Sequence, residues 1–337
     1  MEIKQINTGV FVDKKEVIAV ELHNNKGSFV KIFNYGTIIN KFVITNSKGE
    51  AQDIVLGFDQ FEDYINPTYL ANYPYFGAII GRYANRIKDG KFNIDGVDYQ
   101  LDSYLHGGNI GFDRKVWDII ATSDHPNAKV TFQYYSLDGE ENFPGDLAIQ
   151  LTFEFTNNDE LILTYQADTD EATPINLTHH SYFNLSANGD KIMEHIHQMN
   201  ASHYLVKDED GVATGSILPV DGSIHDFRQS RTIGSHWDEK LGYDQSYVLD
   251  KEYGELTLAS KTTETSSGLS LLVFSTEPVA HFYTAKNLNV KNYHQFDAFC
   301  VETQHHPNAV NIPHFPNTIL RPDEVYMQTT IYKVSLS

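Results

Sequence analysis

Asn176-Leu-Thr-His-His-Ser-Tyr-Phe-Asn-Leu185 is the stretch on which the reading of this chain turns. Successive side chains leave a strand on opposite faces, so an extended segment sorts its residues by parity. One face would carry Asn176, Thr178, His180, Tyr182 and Asn184, and the other Leu177, His179, Ser181, Phe183 and Leu185. The second face is mostly core material. The first is a row of uncharged amide, hydroxyl, imidazole and phenol groups, where an ordinary solvated face would show Lys, Glu and Asp. Such a row suits a neutral ligand rich in hydroxyls, and a sugar is the first candidate. His180 is the acid or base of the row, because imidazole titrates near neutral pH. His179, on the opposite face, reads as a buried structural histidine.

Strand signals continue in both directions from this segment. Residues 28–33, 130–135, 148–155, 161–167, 269–274 and 298–302 are rich in β-branched and aromatic side chains. Lys91-Phe-Asn-Ile-Asp-Gly-Val-Asp-Tyr-Gln100 predicts a hairpin, with Asp95-Gly96 supplying the positive φ angles of a two-residue turn. Convincing helices are scarce, and strands do not alternate with them. The expected fold is all-β, a large antiparallel sandwich. No linker or internal repeat divides the sequence, so residues 1–337 read as a single domain despite a length that would allow two.

The bulk composition excludes several roles. With 25 basic and 45 acidic residues the net charge is −20, which disfavours nucleic acid and anionic membranes as partners. No Gly-x-Gly-x-x-Gly fingerprint or phosphate-binding Gly-Lys-Ser/Thr loop occurs, so nucleotide chemistry is not expected. The single cysteine, Cys300, rules out an intramolecular disulfide. With no signal-peptide pattern at Met1 and no long apolar run, a cytoplasmic location is expected. Fifteen histidines raise the question of a metal, but helical His-x-x-x-His pairs are absent and none is expected. Nothing in the sequence specifies the oligomeric state.

Four further segments carry candidate chemistry. In Gly81-Arg-Tyr-Ala-Asn-Arg-Ile87, the guanidinium forks of Arg82 and Arg86 suit contact with oxygen atoms, against the alternative of surface salt bridges. In Leu105-His-Gly-Gly108, two glycines could let the backbone pass close to a ligand while His106 points inward. In Phe299-Cys-Val-Glu-Thr-Gln304, Cys300, Glu302 and Gln304 share one strand face. Its Glu302 should be partly desolvated, with a raised pKa suited to a base near neutrality. Cys300 reads as a small core residue. In Gly242-Tyr-Asp-Gln-Ser-Tyr-Val-Leu249, Asp244 precedes a strand and could accept hydrogen bonds from sugar hydroxyls, or simply cap a turn.

Taken with Leu56-Gly-Phe-Asp59, Tyr75-Phe-Gly77, Gly111-Phe112 with Val116-Trp117, Asp138-Gly-Glu140 with Phe143-Pro-Gly145, Asp226-Phe-Arg228, and Leu320-Arg-Pro322 with Tyr326 and Tyr332, these segments make the chain resemble the aldose 1-epimerase (galactose mutarotase) family over nearly its full length. The resemblance implies a galactose mutarotase-like sandwich with an open sugar cleft and interconversion of α and β anomers without a cofactor. It implies Glu302 as general base, His180 as general acid and His106 as a second histidine at the reacting centre. Asn85, Arg86 and Asp244 become sugar-hydroxyl ligands, with Tyr182 and His281 beside them. Two positions depart from the family pattern. Gln245 stands where relatives usually have His, and His281 where many have Gln, a change that bears on sugar preference.

Anomer exchange needs a base at the C1 hydroxyl and an acid at the ring oxygen, so the two groups are expected on different strands, on opposite sides of one sugar. The alternatives are a glycoside hydrolase using Glu302 and Asp244, a non-catalytic carbohydrate-binding sandwich, and a sugar-phosphate epimerase, which would need a cluster of basic residues.

Overall fold

The computed structural model describes residues 1–46, 48–238, 240 and 242–336. Among them, strands form one broad layer backed by two smaller sheets. The broad layer is a nine-stranded antiparallel sheet. Its centre runs Thr257–Glu264, Leu269–Ser275, Tyr326–Leu336, Glu160–Thr169, Leu147–Phe155 and Ala128–Ser136. Facing it are a five-stranded sheet of the first 53 residues, Glu2–Val12 to Ala51–Asp53, and a second five-stranded sheet. The latter has the order Ala213–Pro219, His203–Lys207, Asp244–Val248, Val279–Tyr283 and Cys300–Gln304. The one α-helix among the described residues is Pro67–Ala71, and no helix is long and apolar enough to cross a membrane.

Period-2 patterning explains the layering. In Leu147–Phe155 the residues Leu147, Ile149, Leu151, Phe153 and Phe155 are buried, while Gln150 is exposed on the other side. They join one apolar cluster with Val20, Val30 and Phe42 of the first small sheet and Tyr247, Phe282 and Val301 of the second. Phe42 meets Phe155 edge to face at 5.8 Å across the interior. The hairpin forms as expected, Lys91–Ile94 with Val97–Gln100, and Asp95 and Gly96 have φ of 53° and 90°.

Residues 176–185 form the seam between the two small sheets. The Asn184 N–H donates to the Ile54 carbonyl and the Leu56 N–H to the Tyr182 carbonyl, which ties the segment to the exit of the first sheet. On the other side Phe183 and Phe299 exchange two backbone hydrogen bonds of 2.8 and 3.0 Å, just before Cys300–Gln304. Regular ladder is confined to Thr178–His179, paired with Ile79–Ile80. The simple two-faced strand expected here is therefore corrected. All ten residues are buried, because the segment changes neighbours every few residues and is covered on both sides.

Leu177, Phe183 and Leu185 enter the core as their parity requires, and Phe183 packs on Tyr332 at 5.0 Å. His179 is structural, between Ser181 Oγ at 3.0 Å and the Thr37 carbonyl at 3.2 Å. The amides of Asn176 and Asn184, expected to face a ligand, instead bind backbone. Asn176 Oδ1 accepts from the His305 N–H, and Asn184 Nδ2 donates to the carbonyls of Asp190 and Asp297.

Phe183→Ala should therefore cost about 3–5 kcal/mol of unfolding free energy, the usual range for a buried aromatic. Phe11→Ala, at a site 62% exposed, should change stability by less than about 0.5 kcal/mol. Urea denaturation of both variants beside the parent chain reads the difference.

Candidate active site

A cleft of about 340 Å³ opens at the seam, and Glu302, His180, His106, Asn85, Arg86, Asp244, Tyr182 and His281 all line it. Three of these residues, Glu302, Asp244 and His281, come from strands and the rest from loops and the seam. Glu302 lies directly across the ladder from His281, His281 from Ser246, and Tyr283 from Asp244, which places Glu302, His281, Tyr283 and Asp244 on one face of neighbouring strands. Loops deliver Tyr75, Asn85 and His106, each with a left-handed backbone, at φ of 59°, 60° and 51°.

At the floor, His180 Nε2 lies 3.5 Å from Glu302 Oε1, and both side chains are almost wholly buried. Burial disfavours the charged form of either group. It pushes the Glu302 carboxyl up to about 8, with the Asp244 charge adding to the rise and Arg86 opposing it. It pushes His180 down to about 3. Burial thus favours the uncharged form of each group, a protonated carboxyl beside a neutral imidazole. The raised carboxyl was expected; the lowered imidazole, for which burial favours the neutral form over a standing imidazolium, was not. The two groups are also adjacent, where opposite sides of a sugar were expected.

His106 is oriented by backbone. The Asn85 N–H donates to His106 Nδ1 at 3.3 Å, and the His106 N–H returns a bond to the Asn85 carbonyl. An accepting Nδ1 puts the ring proton of a neutral imidazole on Nε2. Burial, with His180 and Arg86 nearby, holds His106 well below the usual imidazole range and favours its neutral form. The following glycines do not approach the cleft as expected. A Cβ on Gly107 would lie 2.0 Å from the Gly81 carbonyl oxygen, and one on Gly108 would strike the Glu141 side chain, so they let one loop cross another.

Asp244 has the opposite environment to Glu302. Burial would raise its carboxyl, but His281 and Lys207 outweigh that and hold it well below the usual carboxylate range. His281 Nε2 donates to Asp244 Oδ1 at 3.0 Å, and His281 Nδ1 is 2.8 Å from Ser246 Oγ. Lys207 Nζ donates to the same Oδ1 at 3.0 Å, and Lys286 stands 3.8 Å from Oδ2. Both nitrogens of His281 are thus engaged within the protein, so it orients Asp244 and does not offer a ring nitrogen to a sugar. Tyr182 is similar. Its hydroxyl donates to the Pro74 carbonyl at 2.9 Å, while its ring stacks on His180 at 5.0 Å.

Of the two arginines in the 81–87 motif, Arg86 reaches the cleft, and its Nε has no partner among the described residues. Arg82 is buried elsewhere and donates to the carbonyls of Pro144 and Gly145 and to Ser136 Oγ. Cys300 is buried, as expected, with Sγ 3.5 Å from His180 Nδ1. Sequence reasoning missed Tyr75, which stands 4.7 Å from the His106 ring, and Tyr283, which period-2 spacing from His281 could have found. It also missed Lys207, which no local signal marks.

Among the described residues, the group that could hold a metal is His106, His180 and Glu302, whose donor atoms lie within 4.8 Å of one another. The hydrogen bond onto His106 Nδ1 argues against it. A metal-bound histidine usually donates its second nitrogen to an acceptor, whereas here that nitrogen accepts, leaving the proton on Nε2 where a metal would need a lone pair. The set is built to hydrogen-bond and to move protons.

A polar cleft on a β-sandwich, with a buried carboxyl–imidazole pair at its floor and fixed donors and acceptors around it, defines a carbohydrate-active site. The aldose 1-epimerase family profile matches residues 19–333. Rat galactose mutarotase is 38% identical over 323 residues, covering 91% of both chains, and Escherichia coli aldose 1-epimerase is 30% identical, covering 93% of both. Among solved structures, galactose 1-epimerase from Lactobacillus acidophilus superposes with a TM-score of 0.86 at 27% identity, covering 99% of this chain and 98% of that one. The chain belongs to the aldose 1-epimerase family.

Titration of carboxyl-labelled protein by carbon NMR should show the Glu302 carboxyl changing state near pH 8, while Asp244 stays ionised throughout the neutral range. A Glu302 resonance that titrates near 4.5 would refute the desolvated environment described above.

Proposed function

We propose that the protein interconverts the α and β anomers of free aldoses of the galactose and glucose type by acid–base ring opening and re-closure, with Glu302 and His180 as the proton-transfer pair. The observation that carries this reading is a buried carboxyl and a buried imidazole 3.5 Å apart at the floor of a polar cleft. Ring opening removes a proton from O1 and delivers one to the ring oxygen, and both oxygens are bonded to the same carbon, C1. Adjacent groups are therefore what the chemistry needs. Glu302 as carboxylate takes the O1 proton, and His180 as imidazolium protonates the ring oxygen. After opening, Glu302 is protonated and His180 neutral, which is the distribution that burial favours in the protein alone. Movement of that proton from Glu302 to His180 sets up attack on the closed ring, and Arg86 favours the carboxylate. Rotation about C1–C2 then presents the other face of the aldehyde, and the same pair closes the ring.

His106 serves as the second histidine, its Nε2–H a fixed donor at the reacting centre. Asn85, Arg86 and the ionised Asp244 bind ring hydroxyls, and Tyr75 and Tyr283 wall the cleft. No step calls for a cofactor or a covalent intermediate. The hydrolase reading is weaker, because Asp244 Oδ1 is committed to Lys207 and His281 and makes a poor nucleophile. The single cysteine supports a cytoplasmic place in hexose metabolism, and the charge of −20 argues against nucleic acid or anionic membranes as partners.

Polarimetry on freshly dissolved α-glucose and α-galactose tests the reading. Glu302→Gln and His180→Asn should each lower kcat by roughly 10²–10⁴-fold, the range for a positioned proton-transfer group. Near-parental rates in both variants would overturn the assignment.

The pH dependence of kcat/KM should be a broad bell. Activity needs one proton on the pair, so it falls as pH rises through about 8, where Glu302 loses that proton, and again as pH drops toward about 3, where His180 gains a second. His281→Ala should raise KM by about tenfold, the size of a lost hydrogen bond to a charged group, and leave kcat within about twofold. Steady-state kinetics on one preferred aldose separates the two effects.

A further inference from the structure

Gln304 is a fully buried residue that the mechanism above does not use. Both polar atoms of its amide, and Oε2 of Glu302, have no hydrogen-bond partner among the described residues. Gln304 and Glu302 belong to the strand Cys300–Gln304, two residues apart and so on one face. Across the ladder Gln304 faces Val279, which in turn faces Val248, so the amide sits beside apolar side chains. Gln304 does not line the cleft. A buried amide in such surroundings is sustained by a polar partner, and in protein interiors that partner is often a water making about three hydrogen bonds. Within the proton-transfer pair, Glu302 Oε2 is in the same condition among the described residues.

We propose that Gln304 is a positioning residue for Glu302, its amide holding a buried water that donates a hydrogen bond to Glu302 Oε2. Residues two apart on one strand face can share such a water, which accepts from the amide Nε2–H and donates to Glu302 Oε2. A hydrogen bond to the charged form of a carboxylate favours that form. Gln304 therefore counteracts the burial of Glu302 enough for it to act as a base. Because the amide lies behind the cleft floor, it acts on proton transfer and not on sugar binding. The inference rests on the acid–base reading of Glu302.

Gln304→Met keeps the bulk and removes the amide. It should lower kcat by about tenfold or more, the size of one hydrogen bond to a charged group, with KM within about twofold. The alkaline limb of kcat/KM, and the carbon NMR titration of the Glu302 carboxyl, should both move up by roughly one pH unit. Gln304→Asn, which keeps an amide within reach of the water, should recover most of the limb position. An unmoved Glu302 titration in folded Gln304→Met overturns the proposal, as does a KM rise with unchanged kcat. Should Gln304→Met not fold, Gln304→Leu carries the same test. The NMR titration needs no turnover, so it judges Gln304 even if polarimetry were to refute the epimerase reading itself.

Discussion

The desolvation of one carboxyl group against one imidazole is the constraint on which the site depends. Ionised Glu302 inside a strand of Cys, Val and Thr would be costly, and so would protonated His180 beside it. The pair settles the conflict when each group takes its uncharged form, a protonated carboxyl beside a neutral imidazole. That solution requires near-complete burial of both groups, which Glu302, on the last strand of its sheet, gains only because residues 176–185 cover that strand. It also requires an opening through which a polar molecule can reach them. A seam between two sheets, backed by a third, provides both.

The two carboxylates of the cleft show how environment divides their roles. Glu302 has His180 beside it and no cation in hydrogen-bond contact, so burial dominates and the group can exchange a proton near neutrality. Asp244 is also buried, yet Lys207, His281 and Lys286 surround it, and its charge is permanent. A titrating carboxyl beside a fixed one is a recurrent way to separate acid–base work from ligand binding. The three basic residues gathered at Asp244 form a cluster, but each lies against that carboxylate, so they read as its support more than as a phosphate site.

Much of this was legible in the sequence because strand parity is local. The spacing in Leu147–Phe155 and the Asp95-Gly96 turn give the correct faces and conformations directly. Parity also sent His180 and Tyr182 to the cleft side of their segment and Phe183 and Leu185 to the core. It failed for Asn176 and Asn184, because parity predicts function only where a strand keeps the same neighbours along its length. The seam does not, and its amides serve backbone groups that no ladder satisfies. Lys207 could not have been found this way. It meets Asp244 only because His203–Lys207 pairs with Asp244–Val248, a register fixed by tertiary packing across 37 positions. The raised carboxyl of Glu302 was legible from its Cys and Val neighbours, but the near-total burial of His180, which lowers its imidazole, was not.

The loops complete the argument. Tyr75, Asn85 and His106 adopt left-handed backbone conformations that non-glycine residues seldom take, and all three line the cleft. Such conformations persist only where the surroundings over-determine them. Here they are held by the mutual bonds of Asn85 and His106, by the Ala78 N–H donating to the Tyr75 carbonyl, and by the close passage of Gly107 against Gly81. Glu302, His281 and Asp244 need no such device, since the ladder already aims them. The cleft is thus a rigid sheet face that carries the charges, closed by strained loops that bring a donor and an aromatic wall to meet it. Relaxing the loops would leave the proton pair intact but lose the geometry that presents C1 to it.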